Sequence, residues 1–293
     1  MKIAAPSIPL SLRPLLPSQH RPPAEPQDRV ELGSSSVAPL VSVEISPRFA
    51  MFEQLDASKG TLRCKDTAAL RARAQSLAAQ GTALVAIRHG ESEANAAGGG
   101  ALLSGRGDSP LTELGRQQAR QAAEELWAQF GKAWSEGQRT PVLYSSPLSR
   151  AFETAQALQE LLQARGIQAN LIAEPDLQEI DFGHCEGRNA VEVSAEYPNF
   201  GRGTDFTHRF PGGESGLDVM ARVDRFLGRA AHHAGQDVLF FGHTMTVGLT
   251  RMLLGEVEHN EQGQLRIDRK KIPNAHPMVL VSPASEPEGY ILR

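Results

Sequence analysis

Long apolar runs, cysteines and strong net charge are all scarce or missing in the 293-residue sequence. No apolar stretch approaches the roughly 18 residues that a membrane-spanning helix needs, so we expect no membrane partner. The two cysteines, Cys64 and Cys185, are too few for a disulfide framework, and their spacing suits no metal site. A net charge of −4 gives no indication of nucleic acid as a partner. The scarcity of cysteine favours a reducing, cytoplasmic location.

The N-terminal region differs in composition from the rest of the chain. Seven prolines stand among residues 1–26, a density that forbids a helix and disfavours a sheet. We therefore expect residues 1–60 to form a proline-rich, largely disordered extension. The alternative is an address or export signal, because Lys2 precedes a short apolar stretch. Prolines interrupt that stretch, and it has no clear small-residue cleavage site.

Helical and strand patterns alternate along the remaining sequence. A helix within residues 61–81 is predicted to lead into one domain over residues 82–293. Alternation of this kind predicts a three-layer α/β/α sandwich, in which helices cover both faces of a mostly parallel central sheet. Short apolar runs predict the strands at 82–88, 141–146, 168–174, 237–243, 276–282 and 289–293.

Longer amphipathic stretches predict the helices of the domain. They lie at 67–81, 109–130, 148–166, 214–235 and 244–255. In the second of these, Thr112 is a good N-cap. The buried stripe of that helix is expected to consist of Leu114, Ala119, Ala122 and Leu126.

Polar residues follow three of the predicted strands. Arg88 and His89 end the first strand, Ser146 and Arg150 follow the second, and His243 ends the fourth. Ligands of open α/β sheets bind outside the carboxyl ends of the strands. We therefore expect these side chains to meet at one edge of the sheet.

These residue types suit phosphoryl transfer from a monoester. Arginine stays charged, and its planar fork matches phosphate oxygens. A neutral imidazole can attack phosphorus and form a covalent phosphohistidine, while a carboxylic acid can protonate the departing alcohol. A single arginine or histidine near a strand end is weak evidence for this chemistry. The interpretation depends on the occurrence of all these residues together along the sequence.

Seven blocks of sequence, in order and at sensible spacing, point to one family. They are RHGESEAN at 88–95, GRGDSPLTELGRQQA at 105–119, VLYSSPLSRAFETAQAL at 142–158, LQEIDFGHCEGR at 177–188, FPGGES at 210–215, FFGHTMTVGLTRMLLG at 240–255 and IPNAHPMVLV at 272–281. This set resembles the histidine phosphatase, or phosphoglycerate mutase-like, superfamily. The resemblance covers roughly residues 82–292. It implies a phosphoglycerate mutase-like fold and phosphatase activity with no metal and no other cofactor.

The resemblance also implies the roles of individual residues. It makes His89 the nucleophile that becomes phosphorylated, Glu179 the proton donor and His243 the histidine that completes the phosphate pocket. It also implies that four residues bind the substrate, chiefly through its phosphate group. They are Arg88, Arg150, Asn95 and Ser92.

Some residues near these positions admit two interpretations. Asp181 and Glu186 are alternative proton donors to Glu179, which stands at the family's position. The basic stretch at 266–271 is expected to be a solvated face, and contact with an anionic ligand is the alternative.

Three functions compete at this point. The first is a phosphomonoesterase that acts on a small-molecule phosphate ester or a phosphoprotein. The second is a mutase, which returns the phosphoryl group to a second hydroxyl and in this superfamily usually carries a longer insertion between the acid and the second histidine. Here only about 60 residues separate Glu179 from His243, which favours the phosphatase. The third is a non-catalytic module that binds a phosphorylated ligand.

Overall fold

The computed structural model describes residues 41–97, 102–197 and 203–285. The strands of these residues are β1 Val41–Ser42, β2 Phe52–Asp56, β3 Thr61–Cys64, β4 Ala83–Arg88, β5 Pro141–Ser145, β6 Leu171–Ala173, β7 His208–Arg209, β8 Asp237–Gly242 and β9 Pro277–Val281. The helices are α1 Thr67–Ala79, α2 Glu93–Ala97, α3 Glu113–Ser135, α4 Ser149–Ala164, α5 Ala190–Glu196, α6 Gly216–Ala230 and α7 Thr244–Leu253.

A five-stranded sheet with the order β6-β5-β8-β4-β9 forms the centre of the fold. The pairs β6–β5, β5–β8 and β8–β4 are parallel, and β9 closes the edge antiparallel to β4. Parallel neighbours need crossover connections, and the long helices between the strands provide them. The predicted α/β fold with a mostly parallel sheet is confirmed.

Two apolar cores lie on opposite faces of this sheet. Leu84 and Ala86 of β4 belong to the core that α1, α6 and α7 cover, whereas Val85 and Ile87 belong to the core under α3 and α4. Successive side chains of a strand point to opposite faces, so a strand that is buried on both sides is apolar throughout. The wholly apolar run before Arg88 therefore reflects a central strand of a three-layer fold.

Ordered structure begins upstream of the predicted boundary at residue 60. Strand β2 pairs antiparallel with β3, and Phe49 and Phe52 are buried with only 3% and 2% of their surface exposed. Burial of two phenylalanines in the main core explains why this segment is not a free extension. The expected disorder remains a prediction for residues 1–40, which lie outside the described residues.

Leu114 does not belong to the buried stripe of α3, because 49% of its surface is exposed and Gly115 occupies the inward position instead. The inward positions 115, 119, 122 and 126 keep steps of three and four residues, whereas 114 to 119 is a step of five. The predicted strand at 289–293 lies outside the described residues.

In the described ranges, no helix is both long and apolar enough to cross a membrane.

Candidate active site

The carboxyl ends of β4 and β8 bring two histidines together. Arg88 pairs with Gly242 in the parallel register, and the His89 N–H continues this ladder by donating to the Gly242 carbonyl at 3.0 Å. His89 and His243 therefore follow neighbouring strand ends. The centroids of their imidazole rings are 5.1 Å apart.

The environment of His89 fixes its tautomer and its charge. Its Nδ1 lies 2.7 Å from the Gly90 carbonyl oxygen, which can only accept, so Nδ1 carries the proton and Nε2 keeps its lone pair. Burial lowers the pKa of His89 well below its ordinary 6.5, and the positive charges of Arg150 and Arg88 lower it further. His89 is thus a neutral imidazole with an available Nε2.

The start of α3 holds the loop that carries His89. A Cβ atom at Gly90 would collide with the Gly115 carbonyl, so glycine is required for this close approach. Thr112 caps α3 by accepting the Gly115 N–H at 3.0 Å, and its hydroxyl donates to Glu91 Oε1 at 2.9 Å. The segments around residues 90 and 112, which are separate in sequence, therefore contact each other directly in the fold.

The C-terminal block supports the other side of the same loop. Asn274 donates from Nδ2 to the His89 carbonyl at 2.8 Å, and Ala275 N donates to the Arg88 carbonyl at 2.8 Å. The guanidinium of Arg88 donates to the Ile272 carbonyl at 3.1 Å. Sequence reasoning did not identify Asn274 as a positioning residue, although it lies inside a recognised block.

Arg150 is held almost completely buried by a loop that Glu186 shapes. Its guanidinium donates to the carbonyls of Gly107 at 2.9 Å and Gly105 at 2.6 Å. Glu186 Oε1 accepts the N–H groups of the same two glycines at 3.0 and 2.8 Å. Burial lowers the pKa of Arg150, and the nearby charge of Glu179 opposes that shift. Glu186 therefore holds the loop whose carbonyls accept the guanidinium of Arg150.

Glu179 lies at the N-terminal end of α7. Its Oε1 accepts the Ile180 N–H at 2.9 Å and the Met245 N–H at 3.3 Å. The backbone before it is held by Arg222, which is buried and donates to the carbonyls of Asp176 at 2.8 Å and Glu179 at 3.1 Å. Sequence reasoning missed Arg222, because a helical arginine is usually solvated.

One cavity brings five of the seven predicted site residues together. It measures about 820 Å³ with the solvent at its mouth included. The predicted residues that line it are Arg88, His89, Asn95, Arg150 and Glu179, and its other walls are Leu102, Leu103, Ser104, Phe182, Thr244, Met245 and Arg269.

The other two predicted residues are fully buried beside this cavity. Ser92 Oγ accepts the Asn95 N–H at 3.3 Å, and the Ser92 N–H donates to Asn95 Oδ1 at 3.3 Å, so Ser92 holds the start of α2 and does not line the cavity. His243 packs behind His89, and its Nε2 lies 2.9 Å from the Ser146 hydroxyl. That hydroxyl also accepts the Leu148 N–H at 3.3 Å, so Ser146 joins the ring of His243 to the start of α4.

The cavity wall carries three guanidinium groups, from Arg88, Arg150 and Arg269. In residues 41–97, 102–197 and 203–285, no group of three or more His, Cys, Asp or Glu side chains is arranged to hold a metal ion. Positive charge for an anionic ligand is therefore available from the arginines of this site.

The two neutral histidines predict a stability that falls in acid. Burial lowers the pKa of His243 as it does that of His89, so both folded rings stay neutral at pH values where the unfolded rings, at 6.5, take up protons. The unfolded state then binds more protons, so stability is lost as the pH falls below about 6.5. Each ring lowers the free energy of unfolding by about 1 kcal/mol between pH of about 6.5 and 5.5.

Urea unfolding of His243→Gln at these two pH values checks this expectation. The fall in unfolding free energy should be about 1 kcal/mol smaller than in the wild type, because one titrating ring is gone. Gln substitution of His232, an exposed histidine, is the matched control and should keep the wild-type pH dependence. An unchanged pH dependence in His243→Gln would show that this ring takes up protons equally in the folded and unfolded states, which contradicts the lowered pKa.

Comparison with known proteins places this site in a family context. The sequence model of the family described as the histidine phosphatase superfamily (branch 1) matches residues 84–280. The chain is 35% identical over 166 residues to phosphoserine phosphatase 1 of Hydrogenobacter thermophilus, covering 55% of this chain and 71% of that protein. It is 35% identical over 144 residues to glucosyl-3-phosphoglycerate phosphatase of Mycobacterium tuberculosis, covering 47% of this chain and 56% of that protein. The chain thus spans little more than half of the mycobacterial relative.

A solved structure shows a similar fold. The product of an open reading frame of Mycobacterium tuberculosis superimposes with a TM-score of 0.50 at 25% identity. The superposition covers 68% of this chain and 90% of that one.

Proposed function

The chain belongs to the histidine phosphatase superfamily and is a phosphatase, and from this premise we propose that it hydrolyses small phosphate monoesters through a covalent phosphohistidine on His89. The observation that supports this most strongly is the free Nε2 of a neutral His89, which shares one cavity with Glu179, Arg88 and Arg150. The two named relatives act on phosphoserine and on glucosyl-3-phosphoglycerate, which are both small phosphate esters.

Substrate binding in this proposal rests on preorganised donors. Arg88 and Arg150 bind the phosphate dianion, and Asn95 contributes a further contact from the same cavity. His243, whose ring centroid lies 5.1 Å from that of His89, completes the phosphate pocket in this proposal. Donors that are fixed before the reaction stabilise the transition state without reorganisation, and the loss of one typically costs about 3–4 kcal/mol. These charges take the place of a metal ion, so the proposed reaction uses none.

The first chemical step transfers the phosphoryl group to His89. Its Nε2 attacks phosphorus in line with the ester oxygen, so that a P–N bond forms as the P–O bond to the alcohol breaks. Glu179 gives its proton to the departing oxygen, and the alcohol leaves neutral.

The second step hydrolyses the phosphohistidine. Glu179, now a carboxylate, takes a proton from water, and the oxygen of that water attacks phosphorus. The P–N bond breaks, its electron pair returns to Nε2, and inorganic phosphate leaves. His89 and Glu179 regain their initial protonation states, so one turnover consumes one ester and one water.

Phosphate release without a bisphosphate distinguishes a phosphatase from a mutase. We expect the purified chain to release one phosphate per alcohol from p-nitrophenyl phosphate and from small alkyl phosphates, with no priming. A mutase would need a bisphosphate for activity, would move the phosphoryl group to a second hydroxyl and would release little phosphate. Stoichiometric transfer between hydroxyls would therefore overturn the proposal.

We also infer a cytoplasmic location from the scarcity of cysteine. Export of a reporter that is fused to residues 1–60 would contradict this inference.

A further inference from the structure

A second cavity adjoins the one that holds His89 and Glu179, and the proposed reaction does not use it. It measures about 640 Å³ with the solvent at its mouth included, and it is narrower than the first cavity. Phe182, Met245 and Arg269 line both cavities. We call the second one the apolar cleft, because most of its wall comes from Ile180, Phe182, Phe206, Phe210, Met245 and Ile267.

The apolar wall of the cleft is fixed by packing. Phe206, Phe210 and Ile267 expose only 1%, 7% and 8% of their surface. The rings of Phe182 and Phe210 pack edge to face, with centroids 5.2 Å apart. All these side chains belong to the main apolar core, in which close packing restricts movement. The cleft is therefore preformed, and its narrow space suits a slender group better than a bulky one.

The charged side chains of the cleft leave its interior without an unpaired charge. Asp205 and His208 line it and bind each other: Asp205 Oδ2 lies 2.9 Å from His208 Nδ1, and Asp205 Oδ1 accepts the His208 N–H at 3.1 Å. Arg269 is exposed to water at the mouth. A charged or heavily hydroxylated group would lose its water here without gaining enough partners, whereas an apolar group would gain by burial.

The proposed proton donor lies where the two cavities adjoin. Glu179 is followed directly by Ile180 of the cleft wall, and its Oε1 accepts the N–H of Met245, which lines both cavities. In the proposed reaction, the ester oxygen receives its proton from Glu179. The carbon chain on that oxygen therefore begins beside the cleft.

We propose that the apolar cleft binds the carbon chain of the leaving alcohol, so that the preferred substrates are phosphate monoesters of slender apolar alcohols. This inference rests on the proposed phosphatase function and adds the class of the alcohol to it. The phosphate is bound in the first cavity, and the cleft adds affinity in proportion to the apolar surface that it buries.

Straight-chain alkyl phosphates test this proposal, because their leaving alcohols have similar basicity and differ in apolar length. Each methylene that enters an apolar site contributes about 4-fold in binding. In the wild type, kcat/KM for pentyl phosphate should therefore exceed that for methyl phosphate by about 10-fold or more. Propyl phosphate should also be preferred over glycerol 3-phosphate, which has the same three carbons and two additional hydroxyls. The opposite preference would overturn the apolar assignment.

Substitutions then locate the bound chain. Ile267→Phe narrows the cleft, so the ratio of kcat/KM for pentyl to methyl phosphate should fall towards one. The matched control is Ile172→Phe, which makes the same exchange at an exposed residue of β6 and should keep the wild-type ratio. Phe210→Leu widens the cleft and gives a second readout: branched 3-methylbutyl phosphate should gain relative to pentyl phosphate. Wild-type ratios in folded Ile267→Phe and Phe210→Leu would show that the chain binds elsewhere.

A polar occupant of the cleft gives a different result. Nε2 of His208 has no hydrogen-bond partner among the described residues, so a hydroxyl on the alcohol has one candidate partner there. We expect pentyl phosphate to be preferred over 5-hydroxypentyl phosphate. A preference for the hydroxylated ester that is lost in His208→Leu would overturn the apolar assignment.

The outcomes also separate this inference from the proposed function. Hydrolysis of p-nitrophenyl phosphate and methyl phosphate, with a pentyl-to-methyl ratio near one in the wild type, would overturn the inference about the cleft alone. A wild type that hydrolyses no monoester would instead overturn the phosphatase proposal.

Discussion

Replacement of His89 by alanine is expected to lower kcat for monoester hydrolysis by about 10⁴-fold or more, because the attacking atom is removed. No other described side chain in the cavity offers a neutral nitrogen with a free lone pair next to Arg88 and Arg150. The arginines remain in the variant, so phosphate and the substrate should still bind. The expected result is therefore a loss in kcat with a small change in the binding of inorganic phosphate.

A labelling experiment identifies the intermediate directly. Wild-type protein that is quenched during turnover of a ³²P-labelled monoester should carry label that is lost in acid and kept in alkali, as expected of a P–N bond. His89→Ala should carry none, and His232→Ala, which changes an exposed histidine, should be labelled like the wild type. Equal turnover in His89→Ala and the wild type would show that another group attacks phosphorus. Binding of phosphate with no turnover in the wild type would favour a non-catalytic module.

The strands and helices could be predicted from the sequence where the pattern of apolar residues matches the burial of the element in the fold. Strand β4 is apolar throughout because both of its faces are buried, and the long helices have amphipathic periodicity. The register of β4 against β8 then aligns Arg88 with Gly242, so that the two histidines that follow meet at one edge. The spatial meeting of distant motifs was thus a consequence of parallel pairing.

The hairpin of β2 and β3 could not be predicted in the same way. Polar and apolar residues do not alternate regularly along its two strands. Its turn is held by a residue that is distant in sequence, since Phe206 N donates to the Gly60 carbonyl at 2.9 Å. Gly60 has a φ of +63°, and a Cβ there would collide with Asp205, so the turn is shaped by a residue far along the chain. Local propensity contains no information about such a partner.

The residues that position the site could not be predicted from the sequence, for a related reason. Arg222 and Asn274 act on backbone carbonyls, and any segment of chain offers carbonyls, so no spacing of side chains reveals the contact. Glu214 likewise accepts the Asp181 N–H at 3.0 Å while it pairs with Arg222. The groups proposed to react come from recognisable blocks, whereas the groups that position them depend on the folded backbone.

Substitution of Glu179 by glutamine is expected to lower kcat/KM for alkyl phosphates by about 10²- to 10⁴-fold, the usual range for a lost general acid. The loss in kcat/KM for p-nitrophenyl phosphate should be much smaller, because nitrophenolate is a weak base and leaves without a proton. The amide oxygen that Glu179→Gln introduces can still accept the Ile180 N–H, so the local backbone is kept. Steady-state kinetics on both substrates measures this difference between leaving groups.

The same variant also tests whether Glu179 activates water in the second step. With p-nitrophenyl phosphate, Glu179→Gln should give a rapid burst of nitrophenol followed by slow turnover, because phosphohistidine forms but hydrolyses slowly. Asp181→Asn is the matched control: it makes the same acid-to-amide change two residues away, and its Oδ1 can still accept the Gly183 N–H. A loss that depends on the leaving group in Asp181→Asn, and not in Glu179→Gln, would transfer the role of proton donor to Asp181. A loss without a burst in Glu179→Gln would leave Glu179 a role in phosphorylation only, since water would then be activated by another group.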